Sequence, residues 1–372
     1  MNILYLCDPS IKSHDLTWMK YFAKRNNRVF VIHRNTVSKH IDTDYLTNLE
    51  IKLIGGINDF SILRPFSTLK TFLFIKSIVI KLNIDVFHII YAEPNALWAL
   101  FKNNFKCKIG LTTRGTDILV TITQFSLFKK FQDYYIFPLY RSALKKFDFI
   151  TCTSNSQKDK IEQITDYLVS PFIIRTGVDF ASIMKTASNN SISIDGKYIL
   201  FPRTMKPLYN HELAISSLKF LNDTIKSSYT FIFLDKDSED SGYVRSIQKL
   251  INQYFDINIL FLERQDKKSF IYLLKSTSLV VITAKSDGSP VTAMEAMALG
   301  IPVILPPLNY DSDIFGDWIF KLESWDANEL AKTITKALTG ICHSNTKKAQ
   351  TIIHKHADTE KEMAKLLELY KS

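Results

Sequence analysis

In the stretch SDGSPVTAMEAMALGIPVI (286-304) two acids, Asp287 and Glu295, stand with seven residues between them, and their neighbours are small or apolar. Pro290 suits the first turn of a helix with Gly288 or Ser289 just before it, and Gly300 followed by Pro302 stops that helix about ten residues later. Free backbone N–H groups and the positive end of the helix dipole gather at such a start and attract anions. Gly288 lets a phosphate approach the backbone, so the loop around Asp287, Gly288 and Ser289 is expected to fit a diphosphate. Ala293, Met294, Ala296, Met297, Ala298 and Leu299 leave the helix apolar nearly all round, which predicts burial. A lone buried carboxylate is costly unless something satisfies it. Glu295 therefore needs either a structural partner, an Arg or a backbone amide, or a ligand with neutral hydroxyls such as a ribose diol.

The elements that must hold these residues are legible as a repeating pattern. Short runs rich in β-branched and aromatic residues alternate with helical patterns, the mark of parallel strands covered on both faces. Seven lie in the first half: NILYLC (2-7), RVFVIH (28-33), IKLIGG (51-56), DVFHIIY (85-91), KIGLTT (108-113), FDFITCT (147-153) and PFIIRTG (171-177). The stretch TASNNSISIDGK (186-197) has no period and reads as a linker. Five more runs follow: YILFPR (198-203), YTFIFLD (229-235), NILFLE (258-263), LVVITA (279-284) and PVILP (302-306). In DANELAKTITKALTG (326-340), Asp326 is expected to cap a helix, Glu329 to complete a capping box and Gly340 to end it. A chain of 372 residues also exceeds the usual size of one core. The fold class is therefore α/β, with two doubly wound, Rossmann-like domains and ligands expected at the carboxyl ends of the strands, in a central cleft. The boundaries read 1-185, a linker at 186-197, 198-350, and a C-terminal helix at 351-372 packing back on the N-terminal domain.

At these residues the sequence resembles the family 4 (group 1) retaining glycosyltransferases of the GT-B fold. Their signature, an acid, seven residues and a glutamate, is matched by Asp287-Gly288-x-Pro290 through Glu295-Ala296-Met297-Ala298-x-Gly300-x-Pro302-Val303-Ile304. The resemblance implies that Glu295 holds the nucleotide ribose, that Asp287 faces the donor-sugar hydroxyls, and that amides around Ser289, Val291 and Thr292 hold the diphosphate. Asp287 stands where glutamate is usual, which leaves the sugar open. FPRTMKPLYNHELAISSLKFL (201-221) resembles the family's strand, basic loop and helix, where an Arg and a Lys clamp the diphosphate. Arg203 matches the arginine; Leu208 occupies the usual lysine position, so Lys206 is its substitute. Arg264 lies where the family recognises the base. TTRGTDIL (112-119) resembles a strand-end segment of the first domain with Arg114 in place of a histidine. Arg114, Asp117 and His14 are the acceptor-side candidates, Asp117 having helix capping as its alternative role. The implied division of labour is an N-terminal acceptor domain and a C-terminal nucleotide-sugar domain.

Composition narrows the partners. Residues 1-190 hold 25 Lys and Arg against 15 Asp and Glu, and the remainder holds 22 of each, so the whole excess of +10 lies in the first half. A basic half suits an anionic surface, phosphate or nucleic acid, or is simply a solvated lysine-rich face. Bases interleaved with aromatics in 63-81 and 125-147 suit either an amphipathic face on an anionic bilayer or packed helices with basic flanks. The apolar start MNILYLC is too short for a signal peptide, and Lys76 and Lys81 interrupt the most apolar later run, so a cytoplasmic chain, peripheral at most on the inner face of the membrane, is expected. Cys7, Cys107, Cys152 and Cys342 are scattered without a C-x-x-C pair, and His354 and His356 point to different helix faces; no metal site is expected.

The reading these features support is transfer of a hexose-type sugar from a nucleotide diphosphate sugar, UDP ahead of GDP, to a lipid-linked or cell-surface glycan. No cofactor or metal is expected, and no nucleic-acid partner. Three alternatives remain beside it. A nucleotide-sugar epimerase shares the architecture but needs acid and base residues in the cleft. A metal-dependent transferase would use one of the D-x-D pairs at Asp42 and Asp44, Asp235 and Asp237, or Asp311 and Asp313. A non-catalytic nucleic-acid binder would use the basic half, in which no recognisable module is present.

Overall fold

The structure is a computed structural model that describes residues 1–8, 13–35, 43–122, 137–188, 194–234, 241–252, 257–263, 265–340 and 343–372. It forms two compact units, one of Met1–Thr176 with Glu360–Ser372 and the other of Gly177–Thr359.

The first unit is built on β1 (Asn2–Cys7), β2 (Arg28–Arg34), β3 (Ile51–Ile57), β4 (Val86–Ile90), β5 (Lys108–Thr112), β6 (Phe149–Cys152) and β7 (Phe172–Ile173). They pair in parallel in the order β3-β2-β1-β4-β5-β6-β7. Strand residues alternate between faces. Leu4 and Leu6 of β1 therefore enter one core with Phe72, Ile75, Phe87 and Trp98, while Ile3, Tyr5 and Cys7 enter another with Trp18, Phe22, Met363 and Leu366. Burial on both faces is why these strands read as continuous apolar runs.

The second unit repeats the plan with β8 (Lys197–Phe201), β9 (Tyr229–Leu234), β10 (Ile259–Leu262), β11 (Leu279–Val281), β12 (Val303–Leu305) and β13 (Phe320–Lys321). Their order is β10-β9-β8-β11-β12-β13, again parallel. Tyr198 and Leu200 face one core, Ile199 and Phe201 the other. In each sheet the order reverses beside the first strand, between β1 and β4 and between β8 and β11. Ligands of doubly wound sheets bind just past the carboxyl ends at such a switch point.

Three local expectations differ from the structure. The units divide at Thr176 and Gly177 rather than in 186-197, because the helix Phe180–Ser188 buries Ile183 and Ala187 in the core that holds Tyr198 and Leu200. The sequence also gave no sign of β13, whose two residues make an edge ladder too short for any pattern. Asp326 caps the helix Ala327–Thr339 through the Glu329 amide at 2.8 Å, as expected. The Glu329 carboxylate, however, accepts from the Glu323 and Ser324 amides instead of closing a box on Asp326.

The helix Thr359–Lys371 closes the chain, and from Glu360 onward it belongs to the first unit. Its Glu362 is buried and accepts the Arg175 amide at 2.8 Å. Gly177 adopts φ +77, and a side chain there would meet the Thr359 backbone at 2.8 Å, so the crossover requires glycine.

Candidate active site

The strand ends at the second switch point carry the expected residues. Arg203 lies two positions past β8, and Asp287 follows β11; the Arg203 guanidinium and the Asp287 carboxylate are in direct contact. Their loops are stitched together: Lys285 N donates to Leu208 O at 2.8 Å, and Thr283 Oγ1 to Tyr209 O at 2.8 Å. His211 Nε2 donates to the Arg203 carbonyl at 3.0 Å, while the Tyr209 ring centroid sits 5.3 Å from Arg203 Cζ. Burial raises the pKa of Asp287, against the pull of Arg203 and the Ser289 amide. Burial is the largest influence on Arg203 and opposes its charge, but Asp287, Tyr209, Tyr310 and Glu295 together outweigh it and the guanidinium is held more firmly protonated than usual.

The loop leads into the helix Val291–Ala298, which begins one residue later than Pro290 suggested, with Pro290 at the cap. No side chain caps this end, so its N–H groups are not taken up by a capping side chain. Gly288 and Pro290 are buried, and Ser289, Val291 and Thr292 are half-buried around that end. Ala293 to Ala298 are buried, as the apolar pattern predicted, and Gly300 ends the helix at φ +74.

Glu295 has a protein partner. Its side chain is 7% exposed, and its carboxylate pairs with Lys267 Nζ, whose own side chain is 56% exposed. Lys267 opens the helix Lys267–Ser276, capped by Asp266 through the Lys268 and Ser269 amides at 2.8 and 3.0 Å. Arg264, the expected base contact, lies outside the described residues. Lys206 is exposed, and no hydrogen bond ties it to Arg203 or Asp287.

Tyr310 and His211 of this region carried no signal in the sequence. Tyr310, five residues past β12, is 6% exposed, and its hydroxyl is enclosed without a hydrogen-bond partner. Arg203 Nε and His211 Nδ1 are likewise buried and unbonded.

The acceptor-side candidates are engaged inside the first unit. Arg114 donates to Asp15 at 2.6 Å and Thr176 Oγ1 at 3.3 Å, with Trp18 beneath it at 4.3 Å. The ion pair is nearly enclosed, so the partners Arg114 has in the fold are internal ones. Asp117 is fully buried and accepts four backbone amides, from Ala92 (2.7 Å), Arg114 (3.0 Å), Gly115 (2.9 Å) and Ile118 (3.1 Å). Burial raises its pKa and these bonds oppose the rise. His14 lies on the helix Ser13–Ala23, and its side chain is outside what is described.

Among the described residues no three His, Cys, Asp or Glu side chains are grouped to hold a metal ion. Asp311 of the one D-x-D pair described is buried, and its carbonyl starts a turn by accepting from Ile314 and Phe315. Asp42, Asp235 and Asp237 lie outside the described residues, as does Cys342, while Cys7, Cys107 and Cys152 form no disulfide.

The family of glycosyl transferases group 1 matches residues 185–368, and the glycosyl transferase 4-like family matches residues 2–154. No curated protein matches the sequence. Solved structures are similar over essentially the whole chain. A glycosyltransferase from Rickettsia africae ESF-5 has a TM-score of 0.74 at 18% identity, covering 100% of this chain and 97% of its own. HepE from Anabaena, solved with UDP, has 0.75 at 13%, covering 99% of each. Sucrose-phosphate synthase from Thermosynechococcus elongatus has 0.74 at 15%, covering 100% and 98%. The two parallel-sheet domains are those of the GT-B fold. The protein is a glycosyltransferase, with a group 1 domain over its C-terminal half and a 4-like domain over its N-terminal half.

Proposed function

We propose that the protein is a retaining glycosyltransferase that moves a hexose-type sugar from a nucleotide diphosphate sugar to a lipid-linked or cell-surface glycan. The observation that carries the donor half is the convergence of Arg203, Asp287 and an uncapped helix N-terminus, with Glu295 one turn further along that helix. UDP is the preferred carrier, supported by the structures of HepE with UDP and with UDP-glucose.

In this reading the diphosphate draws Arg203 away from Asp287 and seats its oxygens on the amides around Ser289, Val291 and Thr292, with Lys206 reaching in from solvent. Asp287 is then free to accept from a sugar hydroxyl. Glu295 exchanges Lys267 for the ribose diol. The bond from the anomeric carbon to the diphosphate oxygen breaks and leaves its electrons on that oxygen. The acceptor hydroxyl bonds the same face of the anomeric carbon and gives its proton to the departing phosphate, so no enzyme nucleophile is used. Neutralising the leaving diphosphate is the largest demand, and a guanidinium in a water-poor site meets it. The reaction needs no metal ion. The acceptor is met at the inner face of the cytoplasmic membrane, where the basic first half suits an anionic surface.

The test is a thermal-shift panel of UDP, GDP and their sugar conjugates, with and without EDTA. Stabilisation by UDP compounds that persists in EDTA and disappears in Glu295→Ala is expected. Unchanged affinity of Glu295→Ala for every nucleotide sugar would overturn the donor-site assignment.

A further inference from the structure

The helix Pro65–Lys81 presents two unlike faces. Thr68, Thr71, Phe72, Ile75, Ile78 and Val79 are buried against the first unit. On the other side, Phe66 (87%), Leu69 (51%), Leu73 (53%) and Ile80 (59%) are exposed, and Leu63 (88%) extends the row through the preceding turn. Steps of three, four and seven residues set these four helical side chains in one stripe along a helix of about 26 Å. Soluble surfaces seldom leave so continuous an apolar row in water.

The charges bordering the stripe are all of one sign. Residues 60-84 contain Arg64, Lys70, Lys76 and Lys81 and no Asp or Glu. Lys70 and Lys81 fall along one edge of the stripe by helical spacing and Lys76 along the other. An apolar centre between two basic edges is the form in which a helix lies flat in a bilayer, its apolar side chains among the acyl chains and its lysines at the headgroups. A protein partner would have no need of positive charge along both edges, whereas anionic lipid supplies the complement along the whole length. No helix among the described residues is long and apolar enough to cross a membrane.

We propose that the exposed face of Pro65–Lys81, with Leu63 before it, is the surface by which the first unit docks on an anionic bilayer. This rests on the membrane-side acceptor proposed above and specifies the residues that meet the lipid.

The experiment is co-sedimentation of the full chain with phosphatidylcholine vesicles, with and without phosphatidylglycerol, for the native protein, Leu63→Ser/Phe66→Ser/Leu73→Ser, and Lys70→Glu/Lys76→Glu. Leu63, Phe66, Lys70 and Leu73 are exposed and Lys76 is half-buried at the edge of the stripe, so both variants are expected to keep the native melting temperature and the same nucleotide-sugar thermal shift. That shift separates a failure of docking from a failure of the donor-site reading. Binding to the anionic vesicles alone, lost at least roughly tenfold in each variant, is the expected result. Equal binding to neutral vesicles, or binding unchanged in the apolar variant, would overturn the proposal. A native dimer that the apolar variant converts to a monomer would also overturn it by assigning the face to a second copy.

Discussion

The Tyr310 hydroxyl is enclosed without a hydrogen-bond partner, and Asp287 and Arg203 are the charges that act on it. A desolvated, unbonded hydroxyl destabilises the fold that holds it. Tyr310→Phe is therefore expected to leave the ligand-free protein at least as stable, by up to about 1 kcal/mol, in a urea titration. A loss of more than that would mean that the hydroxyl has a partner in the fold. Glu295 was legible because a helix that is apolar all round isolates any acid within it, and Asp287 because it stands in the glycine-containing loop just before that helix. Lys267 was not. In the order β10-β9-β8-β11 its strand lies three places from the strand that leads to Glu295, and only the crossover helix returns it to the carboxylate.

At the scale of elements, the C-terminal helix is fixed by a buried polar chain as well as by Met363 and Leu366. The Tyr370 hydroxyl meets Tyr5 at 2.9 Å and contacts His88 Nδ1. His88 Nε2 continues to Thr112 at 2.7 Å, and Thr112 to Thr151 at 2.6 Å. Every member is buried, so a broken link leaves polar atoms with no water to replace it. Tyr370→Phe is expected to destabilise the first unit by about 1–3 kcal/mol, the opposite direction to Tyr310→Phe, and hydrogen exchange should open the helix Thr359–Lys371 first. Its apolar spacing was readable, but the sequence did not reveal that Tyr370 would meet β1 and β4 through hydroxyl and imidazole.

For the molecule as a whole, His88 predicts an acid sensitivity. Burial, and then the charge of Arg114, pushes its pKa down from 6.5 to about 3. Between those values the unfolded chain binds the proton and the folded one does not. The stability is therefore fully present above the unfolded value and is lost as the pH falls through 6.5 toward 3. The expected contribution to the slope is about 1.4 kcal/mol per pH unit in denaturant titrations, and His88→Gln should remove it. A pH profile identical in that variant would mean that His88 protonates in place.

What the sequence by itself determined was what local patterning can encode. Runs buried on both faces fixed the strands of two parallel sheets, and Pro290 and Gly300 marked the two ends of the helix that carries Glu295. The tertiary structure decided which side chains those charges would meet. Arg114 and Asp15 are 99 residues apart, yet they form a nearly enclosed ion pair. Asp117, read as acceptor contact or cap, became the anchor for four amides. Such choices depend on long-range packing and on the cost of burying a charge alone, and neither is written in the spacing of residues along the chain.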